Sequence, residues 1–315
     1  MKRTSALLIG VFGMSLVAIA AWFAGVFPLP MWAGEPTCET GRSQRADVLL
    51  CDDFNGFVQT RWDIGSRGGT WRPSQFAVCR DGFGFGDRCA AWSHYLLFDQ
   101  AWGFYGYDAR RVFPARSDIY VRWYQYISNP FEWGTLEDKS VMLHDRAETI
   151  VAYVGTNRNH LPTEPNSGPG VPFVANYQDL DWPETNGQLT RVNRFQNQNR
   201  NLALKPGRWY LFEWHIRLNT PGVGDGISRL WIDDATRPIP QQTLRMDYRD
   251  MRWLKRTDAG KRFGLLRLTV YHQRCDGVPN TCPPHGPAML RQSHRWDQIV
   301  ISRTPVGPIA SASSY

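Results

Sequence analysis

Residues 209–219 read Trp-Tyr-Leu-Phe-Glu-Trp-His-Ile-Arg-Leu-Asn. In that run Tyr210, Phe212, Trp214, Ile216 and Leu218 fall on every second position, with Glu213, His215 and Arg217 between them. A period of two marks a strand with one buried face, because successive side chains of a strand leave on opposite sides. Short runs of strand character recur from about Cys51 onward, at Ile119–Ile127, Lys139–His144, Ile150–Gly155, Ser228–Asp233, Phe263–Gln273 and Asp297–Ser302. Gly, Pro, Asn and Asp turn residues separate them, and no long amphipathic helix or internal repeat is present. The pattern predicts an all-β chain, a sandwich or jelly roll of two antiparallel sheets. Asn157–Pro172 and the polar stretch Asn186–Asn201 read as long loops.

The faces opposite the apolar ones have an unusual make-up. In Ile119–Ile127, Ile119, Val121, Trp123 and Ile127 alternate with Tyr120, Arg122, Tyr124 and Tyr126. In Leu266–Gln273, Leu266, Leu268 and Val270 alternate with Arg267, Thr269, Tyr271 and Gln273, which puts His272 on the core parity. A sheet that merely faces water carries Thr, Ser, Lys and Glu. Aromatic rings and Arg side by side suit a groove for sugars, where rings stack on pyranose faces and guanidinium groups hold acidic substituents. The charge agrees: 36 basic residues stand against 29 acidic ones, and only five of the 36 are Lys. Arg forks match carboxylate, sulfate or phosphate bidentately, so a polyanion is the expected partner, although an Arg-rich proteome would give the same count. With no P-loop, dinucleotide fingerprint, HExxH or GxSxG, and no nucleic-acid-binding motif, nucleotide chemistry and nucleic acid are not expected.

Lys2 and Arg3 precede 22 uncharged residues, Ala6–Phe27. That is longer than a usual secretory h-region and long enough for a span, so residues 1–33 read as a signal peptide or membrane anchor. Either way the remainder is expected to be secreted, periplasmic or held at the cell surface. Six cysteines at 38, 51, 79, 89, 275 and 282 fall into close pairs without metal-type spacing. Pairing of Cys38 with Cys51, Cys79 with Cys89 and Cys275 with Cys282 in an oxidising compartment is the simplest of the 15 connectivities. One domain over 34–308, followed by a disordered tail at 309–315 and acting as a monomer, is the expected organisation.

Four stretches carry a resemblance to the concanavalin A-like jelly-roll polysaccharide lyases of alginate- and glucuronan-lyase type. They are CDDFNG at 51–56, WYLFEWHIRLNTPGVGDGISRLWIDD at 209–234, RFGLLRLTVYHQ at 262–273 and WDQIVISRTPVGP at 296–308. The Arg-rich strand of those enzymes resembles YVRWYQY here and keeps Arg122. Their Gln-Ile-His becomes Met142-Leu143-His144, and their Tyr-Asn-Gln becomes Tyr271-His272-Gln273. The resemblance implies β-elimination on an acidic, uronate-containing polysaccharide, which requires a neutralised carboxylate, a base for the adjacent proton and an acid for the leaving oxygen. Arg122, His144 and Tyr271 are the respective candidates. Tyr124, Lys139, His215, Arg217, Arg267 and Gln273 are the substrate-binding candidates, and Arg122, Tyr124, His144 and Tyr271 should line one concave surface. No cofactor is required, but a structural Ca²⁺ at Asp53 and Asp297 is implied. Two alternatives share the same strands: a non-catalytic lectin-like module, and a glycoside hydrolase needing paired carboxylates. For the latter Asp179, Asp181 and Glu184 imitate a known spacing but include Pro183, which suits a loop.

Overall fold

The computed structural model describes residues 45–54, 61–66, 76–79, 89–95, 104–129, 131, 138–157, 171–176, 202–235, 243–273 and 291–308. Fourteen strands occupy them: β1 Val48–Asp52, β2 Asp63–Ser66, β3 Phe76–Cys79, β4 Cys89–Tyr95, β5 Phe104–Arg116, β6 Asp118–Ile127, β7 Asp138–His144, β8 Val151–Asn157, β9 Val171–Asn176, β10 Arg208–Arg217, β11 Gly226–Asp234, β12 Leu244–Met251, β13 Phe263–Gln273 and β14 Arg291–Ser302. The first sheet runs β12-β11-β10-β6-β14-β4-β3, with β1 also pairing β14, and the second runs β2-β5-β13-β7-β8-β9. Neighbours pair antiparallel. The expected all-β, two-sheet architecture is therefore present, and the seven strands read from periodicity all exist, most of them slightly longer.

The core lies between the sheets. Ile119, Val121, Trp123, Phe212 and Trp214 from the first sheet join Val141, Leu143, Leu266 and Leu268 from the second in one buried cluster. Trp123 stacks on Phe212 with centroids 4.9 Å apart. A polar bridge crosses this core. Ser140 of β7 donates to Gln125 Oε1 of β6 at 2.6 Å, and that oxygen also accepts from Trp123 Nε1 at 3.1 Å. Trp296 Nε1 donates to Ser140 Oγ at 3.2 Å, and Gln125 Nε2 meets His294 Nδ1 at 3.0 Å. A buried polar group costs little when partnered in this way, and the partners lock the relative placement of the two sheets.

Ser140 and Val141 are consecutive, yet both face the core. The pairing of β7 with β8 is correspondingly irregular between Lys139 and Val141. Two successive inward residues are the mark of a bulge, which returns the preceding residue, Lys139, to the outward side.

Strand β5 was not evident from alternation. Its sequence, FYGYDARRVFPAR, is rich in charge and contains Gly106 and Pro114. Pro cannot donate to a ladder and is confined to edges and irregularities. Here it falls at the break between the pairs Leu265–Val112 and Phe263–Arg116. Strands β1, β2, β3, β4, β9 and β12 are likewise not among the periodic runs, and β9 begins at Val171, inside the stretch expected to be loop.

Asn219, just past β10, is 3% exposed and fully used. Its Nδ2 donates to the carbonyls of Thr220, Val223 and Leu254 at 2.8, 2.8 and 2.9 Å, and its Oδ1 accepts from Trp253 and Leu254 N–H, both at 2.7 Å. It thereby ties the β10–β11 connection to the segment after β12.

Near the other end, Asp47 receives Arg45 Nε at 3.0 Å and Nη2 at 2.6 Å, as well as the Thr304 hydroxyl. Its carbonyl accepts from Arg303 N at 2.9 Å. The Arg45 hydrogen bond, opposed by partial burial and aided by Thr304 and the Arg45 charge, lowers the Asp47 carboxyl to about 2. A depressed acid stabilises the fold above its ordinary 3.8, and that contribution is lost as pH falls through about 2. Asp47→Asn should therefore be less stable than the parent at pH 6, by up to about 1 kcal/mol for a partly exposed pair. The difference should vanish below pH 2 in an acid-unfolding titration.

Cys79 and Cys89 face each other across β3 and β4 and form a disulfide, with Cα atoms 4.9 Å apart. Cys51 is disulfide-bonded as well. Cys38, Cys275 and Cys282 lie outside the described residues, as do residues 1–33, the tail 309–315 and the Asp179–Glu184 spacing. Among the described residues no helix is long and apolar enough to cross a membrane.

Candidate functional site

Two faces look away from the core, one on each sheet, and they point to opposite sides of the sandwich. The site residues expected from sequence divide between them.

On the first sheet, Arg122 is fully buried on the outward side of β6, its guanidinium 5.7 Å over the Tyr124 ring. Opposite it in register stands Glu213, whose two carboxylate oxygens accept the N–H groups of Val306 and Gly307 at 2.8 and 2.9 Å. Arg122 Nη1 in turn donates to the Gly307 carbonyl at 3.2 Å. The chain after β14 is folded over this rung, so Arg122 and Glu213 act as its clasp. His215 stacks on Tyr120, with centroids 4.2 Å apart and planes 3° from parallel, and its Nε2 meets Asp118 Oδ1 at 2.9 Å. Burial, with the Asp118 and Glu213 carboxylates adding to it, pushes the Tyr120 phenol up. Arg217 is exposed and donates to the Asp225 carbonyl at 3.2 Å.

The second sheet gathers the rest. Outward on β7 are Lys139, Met142 and His144, 5%, 7% and 2% exposed. Tyr153 of β8, 1% exposed, packs on Met142 and lies under the Lys139 ammonium, 5.1 Å from its ring centroid. Arg267 and Thr269 of β13, each 2% exposed, belong to the same face. Tyr271 and Gln273 continue the alternation of Arg267 and Thr269 along β13; their side chains lie outside the described residues. In register Tyr271 pairs with Lys139, on the two middle strands of the sheet and near the start of β7, with the two backbone positions about 5 Å apart.

The expectation that Arg122, Tyr124, His144 and Tyr271 line one surface does not hold. Arg122 and Tyr124 belong to the opposite side of the sandwich, as do His215 and Arg217. Period-two parity separates the two faces of a strand but says nothing about which sheet the strand joins. His144 shares a face with β13 but pairs with Leu265, six residues before Tyr271. At about 3.4 Å per residue the two positions stand roughly 17–20 Å apart, too far to serve one sugar ring. Lys139, named only as a binding candidate, is the one beside Tyr271. The sequence carried a signal for it: strict alternation would put a lysine on the core side with Val141 and Leu143, a conflict that a bulge resolves.

For the implied Ca²⁺, Asp53 follows β1 and Asp297 lies in β14, and both are buried. Asp297 Oδ1 accepts Gln298 N at 2.7 Å. Among the described residues no group of three or more His, Cys, Asp or Glu side chains could hold a metal ion.

The sequence matches no family model and no curated protein. Among solved structures, an alginate lyase, Aly36B, determined as a mutant in complex with alginate trisaccharide, superposes with a TM-score of 0.54 at 12% identity, covering 82% of this chain and 99% of that one. A second structure of Aly36B gives 0.54 at 12% identity, covering 81% and 97%. An endo-β-1,4-glucuronan lyase from the fungus Trichoderma reesei gives 0.45 at 10% identity, covering 82% and 94%. The fold is that of the jelly-roll alginate lyases. On this jelly roll, sequence reasoning missed two further charged residues of the second sheet's outward side, Arg110 of β5 and Glu148 of the β7–β8 turn. Arg110 sits in a strand hidden from periodicity, and Glu148 in a turn whose geometry no alternation describes.

Proposed function

We propose that this chain is an exported polysaccharide lyase that cleaves a uronate-containing polysaccharide by β-elimination on the outward face of the second sheet. The observation that carries the reading is the pairing of Lys139 with Tyr271 on a sheltered face that also holds Arg267 and Tyr153. Lys139 takes the part first given to Arg122. Its ammonium, held against the Tyr153 ring, meets the uronate carboxylate and stabilises the charge that develops as the adjacent carbon loses its proton. A point charge that is 5% exposed is worth far more to such an intermediate than one in water. Tyr271 serves both proton transfers: as phenolate it takes the proton from the carbon beside the carboxylate, and the phenol so formed gives that proton to the leaving oxygen as the carbon–oxygen bond breaks and the carbon–carbon double bond forms. Arg267, Gln273 and Arg110 hold other acidic sugars of the same polymer. His144 lines the far end of the same face and takes no part in the chemical step.

The test is the ultraviolet absorbance of the purified chain mixed with a panel of polyuronates, with and without Ca²⁺. Elimination creates a conjugated unsaturated uronate, so a rising signal on one polymer is the expected result, and any Ca²⁺ requirement at Asp53 and Asp297 would appear in the same traces. Binding with a flat trace on every polymer would mean a lectin-like module instead.

A further inference from the structure

Glu148 has φ of 59°, in the left-handed region that a non-glycine residue enters only at a cost. The turn enforces it. Glu148 N donates to the Asp145 carbonyl at 3.0 Å. The Asp145 carboxylate takes Thr149 N, Thr149 Oγ1 and Ile150 N at 2.6, 2.8 and 2.8 Å. The result carries the Glu148 carboxylate across β7 onto two guanidinium groups from the next strands, Arg110 at 3.2 Å and Arg267 in a closer ion pair. Arg110 and Arg267 are direct register partners of β5 and β13. Arg267 is 2% exposed, while Arg110 and Glu148 each keep 26%. The solvent-facing part of this triad therefore includes the carboxylate, and its most buried member is a cation.

We infer that Arg110 and Arg267 form a uronate subsite whose place is held in the free protein by the Glu148 carboxylate, which the substrate's carboxylate displaces. The inference rests on the lyase reading for its ligand class and extends it to a second sugar. Arg267 lies four residues from Tyr271, about 13 Å along the strand, and its partner Glu148 belongs to the end marked by His144. The subsite thus serves a ring distant from the one cleaved. Two adjacent guanidinium groups already hold one carboxylate between them and match a second carboxylate in geometry, which favours an anionic sugar over a neutral one. Exchanging one carboxylate for another conserves the ion pairing, so the site can release Glu148 without leaving buried Arg267 without a counter-charge.

The test is isothermal titration of saturated alginate and polyglucuronate hexasaccharides, with cellohexaose as the neutral control. The full chain is compared with its Glu148→Gln variant, both carrying Tyr271→Phe to stop turnover. Removing the internal competitor should tighten uronate binding roughly tenfold, the size of one charge-assisted contact. The gain should fade with added salt and be absent for cellohexaose. Arg110→Met, which removes one of the two guanidinium groups, should weaken uronate binding several-fold and covers the case in which Glu148→Gln does not fold. Unchanged or weaker affinity in a folded Glu148→Gln chain, or unchanged affinity in Arg110→Met, overturns the subsite. If the parent chain performs elimination while these affinities do not move, the subsite fails and the lyase reading stands. A gain in affinity without elimination by the parent leaves the subsite and removes the lyase.

Discussion

Replacing Lys139 by Met is expected to lower kcat/KM for elimination by about a thousandfold while leaving the melting temperature within about 3 °C of the parent. The two halves of that expectation have different causes. Activity depends on the ammonium at the moment the uronate loses its proton, and a thioether supplies no charge there. Stability depends on how well the position is filled. Met is close in length to Lys, it can reach the Tyr153 ring over which the Lys139 ammonium lies, and it adds to the small cluster of Met142 and Tyr153. Exchanging a buried charge for a well-packed apolar group is often neutral or stabilising. Steady-state rates on the responsive polyuronate, together with a thermal melt, check both halves. Loss of rate accompanied by a large drop in melting temperature would identify Lys139 as structural and move the chemistry elsewhere. Tyr271→Phe should show the same split, since only the phenolic hydroxyl is removed.

The largest loss of stability is expected at Asn219. Asn219→Ala removes one side chain that serves three carbonyls and two N–H groups, all in a region the side chain shares with buried Trp253 and Leu254. Each satisfied bond contributes only about 1 kcal/mol net, but each buried partner left without one costs 1–3 kcal/mol. Some of these groups will find water, so the total should be about 3–5 kcal/mol. Asn219→Asp should be no better, because the carboxylate would face three carbonyl oxygens where the amide donated. Urea unfolding monitored by Trp fluorescence gives the number. A loss under about 1 kcal/mol for Asn219→Ala would show that the β10–β11 connection holds its shape without this residue.

Much of the fold was legible because its central strands obey a simple rule. β6, β10 and β13 each bury an uninterrupted alternating face, so Trp123, Trp214 and Leu266 could be assigned to the core from spacing alone. β5 was illegible because its Pro114 and its Asp-Ala-Arg-Arg run break the alternation, and what holds it in the sheet is pairing with β13 over most of its length. The site was legible only in its ingredients. Lys139, Arg267 and Tyr271 were all marked, yet nothing local distinguishes Arg267 from Arg122: each is an Arg alternating with apolar residues. The difference lies in which sheet the strand enters and what folds over it. Arg122 meets the Gly307 carbonyl, contributed from 185 positions further along the chain. Glu148 was hidden for another reason, since a residue forced into the left-handed region by a neighbouring Asp leaves no periodic trace.

The bulge at Ser140–Val141 has a consequence for how this protein can vary. Which way Lys139 faces depends on the number of residues in β7 rather than on their kind. Substitutions at Ser140 can loosen the bridge to Gln125, but they cannot turn the lysine around. Deleting a single residue there would do so at one stroke, sending the ammonium among the Trp and Leu side chains of the interior. Chain length at this one place therefore matters more to the direction of Lys139 than the identity of the residues does. Relatives of this chain should vary the bulged residue only among side chains that can keep the bond to Gln125, and should hardly ever lack it.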